Sequence, residues 1–429
     1  MSDASTILFA PESAYGPTNN CIGIGDVLRR RGHRVVFAAE SSWRGRLEAL
    51  GFEEHLVDLA PPSTDTPGDA GQFWRDFIAE SAPAFRRPAI EQLQSFMVPT
   101  WQALIDGAVY SEPRLADIVA SVSPDVIVED NVVCFPALMT ARAPFVRMMS
   151  CNPLEMPGAG VPPPYSGLAT GDSAGWQEFR AEYRRTHASM WSAFNDWVQQ
   201  KGAPPLADLQ FIHESTALNL YVYPEEIDYS DRRPLGAAWH RLDSSVRRTD
   251  GAAFIPEAFV SRPAGTALVY VSMGSLGSAD VELMRRLIDA LAPTRHRYVV
   301  SLGPRAAELD LAENMWGAEF LPQTRILSEV DLVITHGGNN TVTECLHFGK
   351  PAVALPIFWD QHDNAQRLDE TAFGVRVDTY GCEPAELRDA VERALSDGAL
   401  RRRTSAAGEV IRARDGLTLA ADLIERAAR

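Results

Sequence analysis

The stretch from Phe320 to Ala365 reads FLPQTRILSEVDLVITHGGNNTVTECLHFGKPAVALPIFWDQHDNA. Within it, Leu332–Thr335 is a short β-rich apolar run, the mark of a buried strand. The run breaks at once into His336-Gly337-Gly338-Asn339-Asn340-Thr341, a turn leading into a helix that carries Glu344, Cys345 and Leu346. A second apolar run, Ala352–Leu355, is followed by Asp360-Gln361. Strand, helix and strand in this order imply a parallel sheet covered by helices.

The turn also has a chemical reading. Two glycines let the backbone approach a ligand closely. The helix start presents unpaired N–H groups and a partial positive charge, which suits a diphosphate. His336 adds a possible donor, and the Thr341 hydroxyl can bond a phosphate oxygen. Glu344 lies one turn further along and can accept from ribose hydroxyls. Asp360 beside Gln361 suits the hydroxyls of a sugar.

Similar apolar runs recur in both halves of the chain. They are Ile7–Ala10, Val35–Ala38, Val126–Val128 and Phe145–Met149, then Ala267–Ser272 and Tyr298–Ser301. Several end in Gly, Pro, Ser or Asp, and ligands in such sheets sit beyond the carboxyl ends of strands. The pattern breaks at RRPLGAAWHRLDSSVRRTDGAAF, a charged, aperiodic stretch read as an interdomain linker. The expected organisation is therefore a first α/β domain over residues 1–236, a linker over 237–264 and a second α/β domain over 265–410. Residues 411–429 form a terminal helix. The tail from Leu387 is helical by its Ala, Leu, Glu and Arg content, with Gly408 and Gly416 read as interruptions.

Composition narrows the function. The 429 residues are too many for one ordinary core, and 45% are hydrophobic. A net charge of −17 repels phosphate backbones and anionic lipids, so neither nucleic acid nor a membrane is an expected partner. The five cysteines are scattered, which suggests neither a disulfide framework nor a cysteine zinc site. No leader-like segment or membrane-length apolar run is visible, and a cytoplasmic protein is expected. Trp74, Trp101, Trp176, Trp191 and Trp197 fall between Gly71 and Lys201. Most such aromatics pack helices onto a sheet, but some are candidates to line an apolar pocket.

The 320–365 segment resembles the donor-binding signature of the family 1 nucleotide-sugar glycosyltransferases, in the spacing of their bacterial macrolide branch. The resemblance implies the GT-B fold: two Rossmann-like, doubly wound parallel-sheet domains facing a cleft. It implies a donor site in the second domain, an acceptor site in the first, and a C-terminal helix that returns to the first domain. By position, Phe320 stands where the family usually stacks a Trp on the nucleobase, and Gln323 completes the same motif. His336, Gly338, Asn340 and Thr341 would meet the diphosphate, with Thr341 in place of the usual Ser. Glu344 would hold the ribose, and Asp360 and Gln361 the transferred sugar. Val271-Ser272-Met273-Gly274-Ser275 matches the first loop of the donor domain, placing Gly274 and Ser275 near the phosphates. No Asp-x-Asp pair occurs, so neither a metal nor any other cofactor is expected beyond the UDP- or TDP-sugar co-substrate.

The acceptor side departs from the pattern. The family's loop after the first strand carries Gly-His, whose His is the general base, oriented by a carboxylate after a later strand. Here Gly16 and Asn19 match, but Pro17 stands at the His position. Asp130 matches the carboxylate. Asp130 is then the expected base, with Glu12 second. His33 reads as a solvated turn residue, and no motif places His213. The leading expectation is an inverting, metal-independent hexosyltransferase acting on a hydroxyl of a small apolar natural product, such as a polyketide or macrolide, a flavonoid or a sterol. That would make it an enzyme of natural-product glycosylation and antibiotic modification. A non-catalytic sugar-nucleotide-binding auxiliary protein is the alternative, because of Pro17. A sugar-nucleotide epimerase is a third reading, poorly suited by the aromatic-rich first half. The sequence is silent on oligomeric state.

Overall fold

The computed structural model describes residues 4–61, 80–251 and 254–429. The described residues form two parallel sheets. The first has seven strands: β1 (Thr6–Pro11), β2 (Arg34–Glu40), β3 (Glu53–Val57), β4 (Val126–Asp130), β5 (Phe145–Met149), β6 (Leu218–Val222) and β7 (Trp239–Leu242). The second has six: β8 (Leu268–Ser272), β9 (Arg297–Ser301), β10 (Met315–Ala318), β11 (Leu332–Thr335), β12 (Ala352–Ala354) and β13 (Gly374–Arg376). Every pairing is parallel, as the strand–helix alternation predicts.

Strand order runs β3-β2-β1-β4-β5-β6-β7 in the first sheet and β10-β9-β8-β11-β12-β13 in the second. Each order reverses once, between β1 and β4 and between β8 and β11. Such a switch point opens a crevice beyond the strand ends, because the flanking loops leave for opposite faces. The two crevices hold the loops that the sequence singles out: Glu12–Asn20 with Asp130, and Gly274–Ser275 with His336–Thr341.

The helices of nine residues or longer are α1 (Tyr15–Arg30), α2 (Val98–Val122), α3 (Ser173–Gln200), α4 (Val281–Leu291), α5 (Asn339–His347), α6 (Gln361–Glu370), α7 (Pro384–Ser396), α8 (Gly398–Arg414) and α9 (Gly416–Ala427). Their starts are written in the sequence. The side chains of Asp172, Asp280 and Asp397 accept from first-turn amides of α3, α4 and α8. Glu383 and Glu386 form a reciprocal capping box on α7. Pro17 sits in the first turn of α1, where a missing N–H leaves no helical bond unmade.

Three sequence expectations change. β7 falls inside the 237–264 stretch and pairs with β6, so the segment read as linker begins by completing the first sheet. Residues 252 and 253 of that stretch, and Trp74, lie outside the described residues. Gly408 does not interrupt its helix. It lies within α8, where an added Cβ would meet the Gly349 backbone nitrogen at 2.8 Å, so a side chain is excluded by close packing on α5. His33 is not solvated: its Nδ1 accepts from the Ser5 amide at 3.1 Å, and its Nε2 meets the Glu425 carboxylate at 3.0 Å.

That last contact belongs to α9. Leu417, Ala420, Ala421, Leu423 and Ile424 pack into the core cluster that contains Ile7, Phe9, Ile22 and Ile24. The last helix in the chain thus completes the core of the first domain. No helix among the described residues is long and apolar enough to cross a membrane. All five cysteines are free.

Candidate active site

The two switch points face each other. A Cβ built on Gly16, in the first turn of α1, would stand 3.8 Å from the Asn340 Cβ, in the first turn of α5. Phe320 is 53% exposed at the cleft, with its ring centroid 6.1 Å from that of Tyr15 across the gap. A half-exposed phenylalanine opposite a second ring is a suitable face for a flat base.

His336 follows β11 and lies between two glycine backbones. Gly274 has φ +73°, and a Cβ there would meet the imidazole Nε2 at 2.7 Å. A Cβ on Gly338 would clash with the same ring. Burial lowers the His336 pKa to about 4, against a hydrogen bond with the Ser272 carbonyl. The ring is therefore neutral near pH 7 and carries a single N–H. Ser275 sits in the short helix Gly274–Gly277 directly after β8.

Gln323, Thr341 and Glu344 form one network. The Gln323 amide donates to the Glu344 carboxylate at 2.6 Å and to the Thr341 Oγ1 at 3.3 Å. Because Thr341 accepts in this network, its own O–H remains for another acceptor. Arg247, in the segment between β7 and β8, donates to the other Glu344 oxygen at 3.1 Å. Burial raises the Glu344 pKa, opposed by that guanidinium.

Asp360 and Gln361 open α6. Gln361 Oε1 accepts from the amides of Ile357 and Phe358 at 3.0 and 3.3 Å, so this oxygen braces its own loop. The Asp360 Oδ2 accepts from the backbone N–H of Asn152 at 2.9 Å. Burial pushes the Asp360 pKa up to about 6.

On the first-domain side, Asp130 ends β4 and is 3% exposed. Its Oδ1 accepts from the Ser150 amide at 3.1 Å and its Oδ2 from the Ser150 hydroxyl at 2.5 Å. Burial raises its pKa to about 6, opposed by the Ser150 hydrogen bond and the Arg147 charge. The Glu12 carboxylate turns to its own loop, accepting from the Ser13 hydroxyl and the Ala14 amide at 3.0 Å each. Burial raises its pKa as well. His213 is buried, with Nε2 on the Pro204 carbonyl at 2.7 Å, away from the catalytic candidates' hydrogen bonds.

Known proteins resemble this chain in both sequence and fold. The family model for the erythromycin biosynthesis protein CIII-like C-terminal domain matches residues 285–415. Oleandomycin glycosyltransferase of Streptomyces antibioticus is 25% identical over 423 residues, covering 96% of this chain and 88% of its own. Demethyllactenocin mycarosyltransferase of Streptomyces fradiae is 24% identical over 420 residues, covering 96% and 84%. Over nearly its whole length the chain is similar to macrolide glycosyltransferases, and its fold is GT-B. The solved glycosyltransferase of kitacinnamycin superposes with a TM-score of 0.71 at 21% identity, over 99% of this chain and 100% of its own. The glycosyltransferase VinC, solved in complex with DTDP, gives 0.64 at 17% identity, over 99% of each chain.

In this GT-B protein, sequence reasoning missed several residues that build the cleft. Asn339, not its neighbour Asn340, joins the domains: its Nδ2 donates to the carbonyls of Ser150 and Val222 at 2.9 Å each. Asn340 Oδ1 is buried without a partner among the described residues, beside Gly16. Ser150, Asn152 and Arg247 lie far from the motif in sequence and carried no signal of their own. Trp176 and Trp191 donate to the carbonyls of Ala169 and Gln210 at 3.0 and 2.9 Å, and Trp197 stacks on Phe194, so these three pack α3 in place.

Proposed function

We propose that the protein moves a hexose, with inversion, from a UDP- or TDP-sugar to a hydroxyl of a small apolar natural product of the polyketide or macrolide, flavonoid or sterol kind. The observation that carries this reading is the juxtaposition of the two switch points, Gly16 against Asn340, with the phosphate loop on one side and Asp130 on the other. The activities of the oleandomycin and mycarose-transferring relatives, and the DTDP bound to VinC, support it.

In the proposed course, Phe320 stacks on the base and Glu344 holds the ribose. The backbone N–H groups of Gly274, Ser275 and Gly338, with His336, Asn340 and Thr341, take the diphosphate charge as it develops. Such preformed donors let the reaction run without a metal. Asp360 and Gln361 hold the sugar. The acceptor oxygen, in the loop of Gly16, Pro17 and Asn19, attacks the anomeric carbon opposite the diphosphate. The new C–O bond forms as the bond to the phosphate oxygen breaks, and the acceptor proton passes to Asp130. A carboxylate raised to about 6 is a better base than an exposed one.

One observation favours a second reading. Asp130 is nearly sealed, and both its oxygens are taken by Ser150, while Pro17 supplies no proton-moving group. A sugar-nucleotide-binding protein without transfer activity would look the same on the donor side. Incubation with UDP- and TDP-sugars and a panel of polyketide, flavonoid and sterol acceptors separates the two. A hexose mass shift supports the enzyme; tight donor binding with no shift on any acceptor supports the binding protein.

A further inference from the structure

Ser150 follows β5 and grips the Asp130 carboxylate with two donors, its amide on Oδ1 at 3.1 Å and its hydroxyl on Oδ2 at 2.5 Å. Two donors from one residue, one on each oxygen, fix the plane of the carboxylate. Ser150 is itself held from two sides. The Asn20 Nδ2, on α1, donates to the Ser150 Oγ at 2.8 Å, and the Ser150 carbonyl accepts from the Asn339 Nδ2 of the second domain at 2.9 Å. Behind Asn20 stands Ser245, in the segment between β7 and β8, whose hydroxyl donates to the Asn20 Oδ1. Asn20, Asp130, Ser150 and Ser245 are all buried.

This network decides where the serine proton goes. A hydroxyl has one proton to give. Ser245 occupies the Asn20 oxygen, so Asn20 turns its N–H toward Ser150, and the Ser150 Oγ accepts there. The Ser150 proton is left for Asp130, and 2.5 Å is the length of a hydroxyl bond to a carboxylate. A carboxylate offers about four acceptor positions, of which Ser150 fills two, so the grip leaves room for an incoming proton. The other ionisable groups facing Asp130 are Glu12 after β1, Cys21 on α1, Glu129 on β4, Arg147 on β5 and Cys151 after it. Cys21 brings its Sγ to 4.0 Å from Oδ2, and a thiol is a weak donor. The strong hydrogen bonds to this carboxylate are those of Ser150.

We infer that Ser150 is the positioning residue for the proposed base: its amide and hydroxyl hold the Asp130 carboxylate in one orientation and favour its ionised form. The inference rests on the glycosyltransferase reading, in which Asp130 must be ionised to take the acceptor proton. A hydrogen bond to the charged form lowers a carboxyl pKa. Burial raises Asp130 to about 6 against that bond, and without the hydroxyl it rises further.

The test compares three variants. Ser150→Ala removes the hydroxyl and keeps the amide. Ser150→Thr keeps both donors. Ser150→Cys keeps the volume with a weak donor, and stands in if the alanine variant does not fold. Asp130 is read by carboxyl-carbon NMR on protein labelled at aspartate, with Asp130→Asn to assign its signal. Its titration midpoint should lie at about 6 in the wild type. It should rise by roughly one pH unit in Ser150→Ala, rise also in Ser150→Cys, and match the wild type in Ser150→Thr. In turnover the acid limb of kcat should move with the midpoint, while affinity for UDP and TDP stays within about twofold. A midpoint unmoved in a folded alanine or cysteine variant overturns the inference. So does a threonine variant that behaves like alanine, or an acid limb that stays in place while the midpoint moves. Wild-type failure to transfer sugar would count against the enzyme reading, while the NMR midpoints still decide what Ser150 does to Asp130.

Discussion

Asn152 gives its backbone N–H to the Asp360 carboxylate across the cleft, at 2.9 Å. Its side chain donates in addition to the Asn364 Oδ1 at 2.8 Å and to the Tyr223 hydroxyl at 3.1 Å. The loop after β5 therefore holds the start of α6 in place. A carboxylate proposed to recognise a sugar is thus oriented by a loop of the first domain, and in that proposal donor positioning depends on contact between the two domains.

The first prediction concerns the base. Asp130→Asn keeps the shape and loses the basicity. It should lower kcat by at least ~100-fold with donor affinity unchanged, within the usual 10²–10⁴-fold worth of general-base help. Glu12→Gln is the control. Steady-state kinetics showing Glu12→Gln as the crippling change would transfer the role to Glu12.

On the donor side, His336→Ala and Thr341→Ala should each weaken nucleoside-diphosphate binding by roughly 1–3 kcal/mol, the scale of a lost charge-assisted hydrogen bond. Titration calorimetry reads this directly. Wild-type affinity in both variants would remove the loop after β11 from the diphosphate site.

Transfer should survive exhaustive EDTA treatment. Activity abolished by chelation and restored by magnesium or manganese would contradict the charge-stabilising role proposed for the backbone donors and His336.

Stability should fall as pH rises. Burial pushes Glu155 and Asp363 up to about 8, with Asp360 adding to both, whereas carboxyls in an unfolded chain titrate near ~4. The folded state thus holds these protons more tightly. The stability they contribute is complete below the unfolded pKa and lost as pH climbs through about 8. Melting curves should show Tm dropping between about pH 6 and 9, and Glu155→Gln should flatten the slope. A Tm that is level or rising over that range in the wild type defeats the prediction.

Ile424 is fully buried in the first domain's core from the last helix of the chain. Ile424→Ala should cost about 2–5 kcal/mol. A Tm within a degree or two of wild type would show that α9 is dispensable to that core.

The interior of each sheet was legible in the sequence, and its margins were not. The apolar runs at 7–10, 35–38, 126–128 and 332–335 became central strands because both faces are buried. The strands that escaped notice include all four at the sheet edges: EEHLV, WHRL, MWGA and GVR, each with only part of its length buried. β6 also escaped, since its apolar run is broken by Asn219, whose side chain is buried and bonded to the Ser215 backbone. The residues proposed to meet the donor were legible as a group for a similar reason: most are contiguous in one βαβ unit. Asn152, Ser150 and Arg247 act through contacts with residues about 100 to 200 positions away, and no local pattern announces them.

The chain crosses between domains twice, before β8 and again from α8 to α9, and the crossings lie side by side. Arg414 reaches the Asp243 carboxylate at 3.0 Å, and the Gly416 backbone abuts the Ser244 carbonyl. Two tethers at one place make a single hinge pin, about which any opening of the cleft would swing. A crosslink beside the pin would leave that swing intact. One between the domains would arrest it, and positions 16 and 340 offer the spacing: 3.8 Å between Cβ atoms, close to the average across a disulfide. Gly16→Cys with Asn340→Cys would therefore latch the molecule shut, and a reductant would release it.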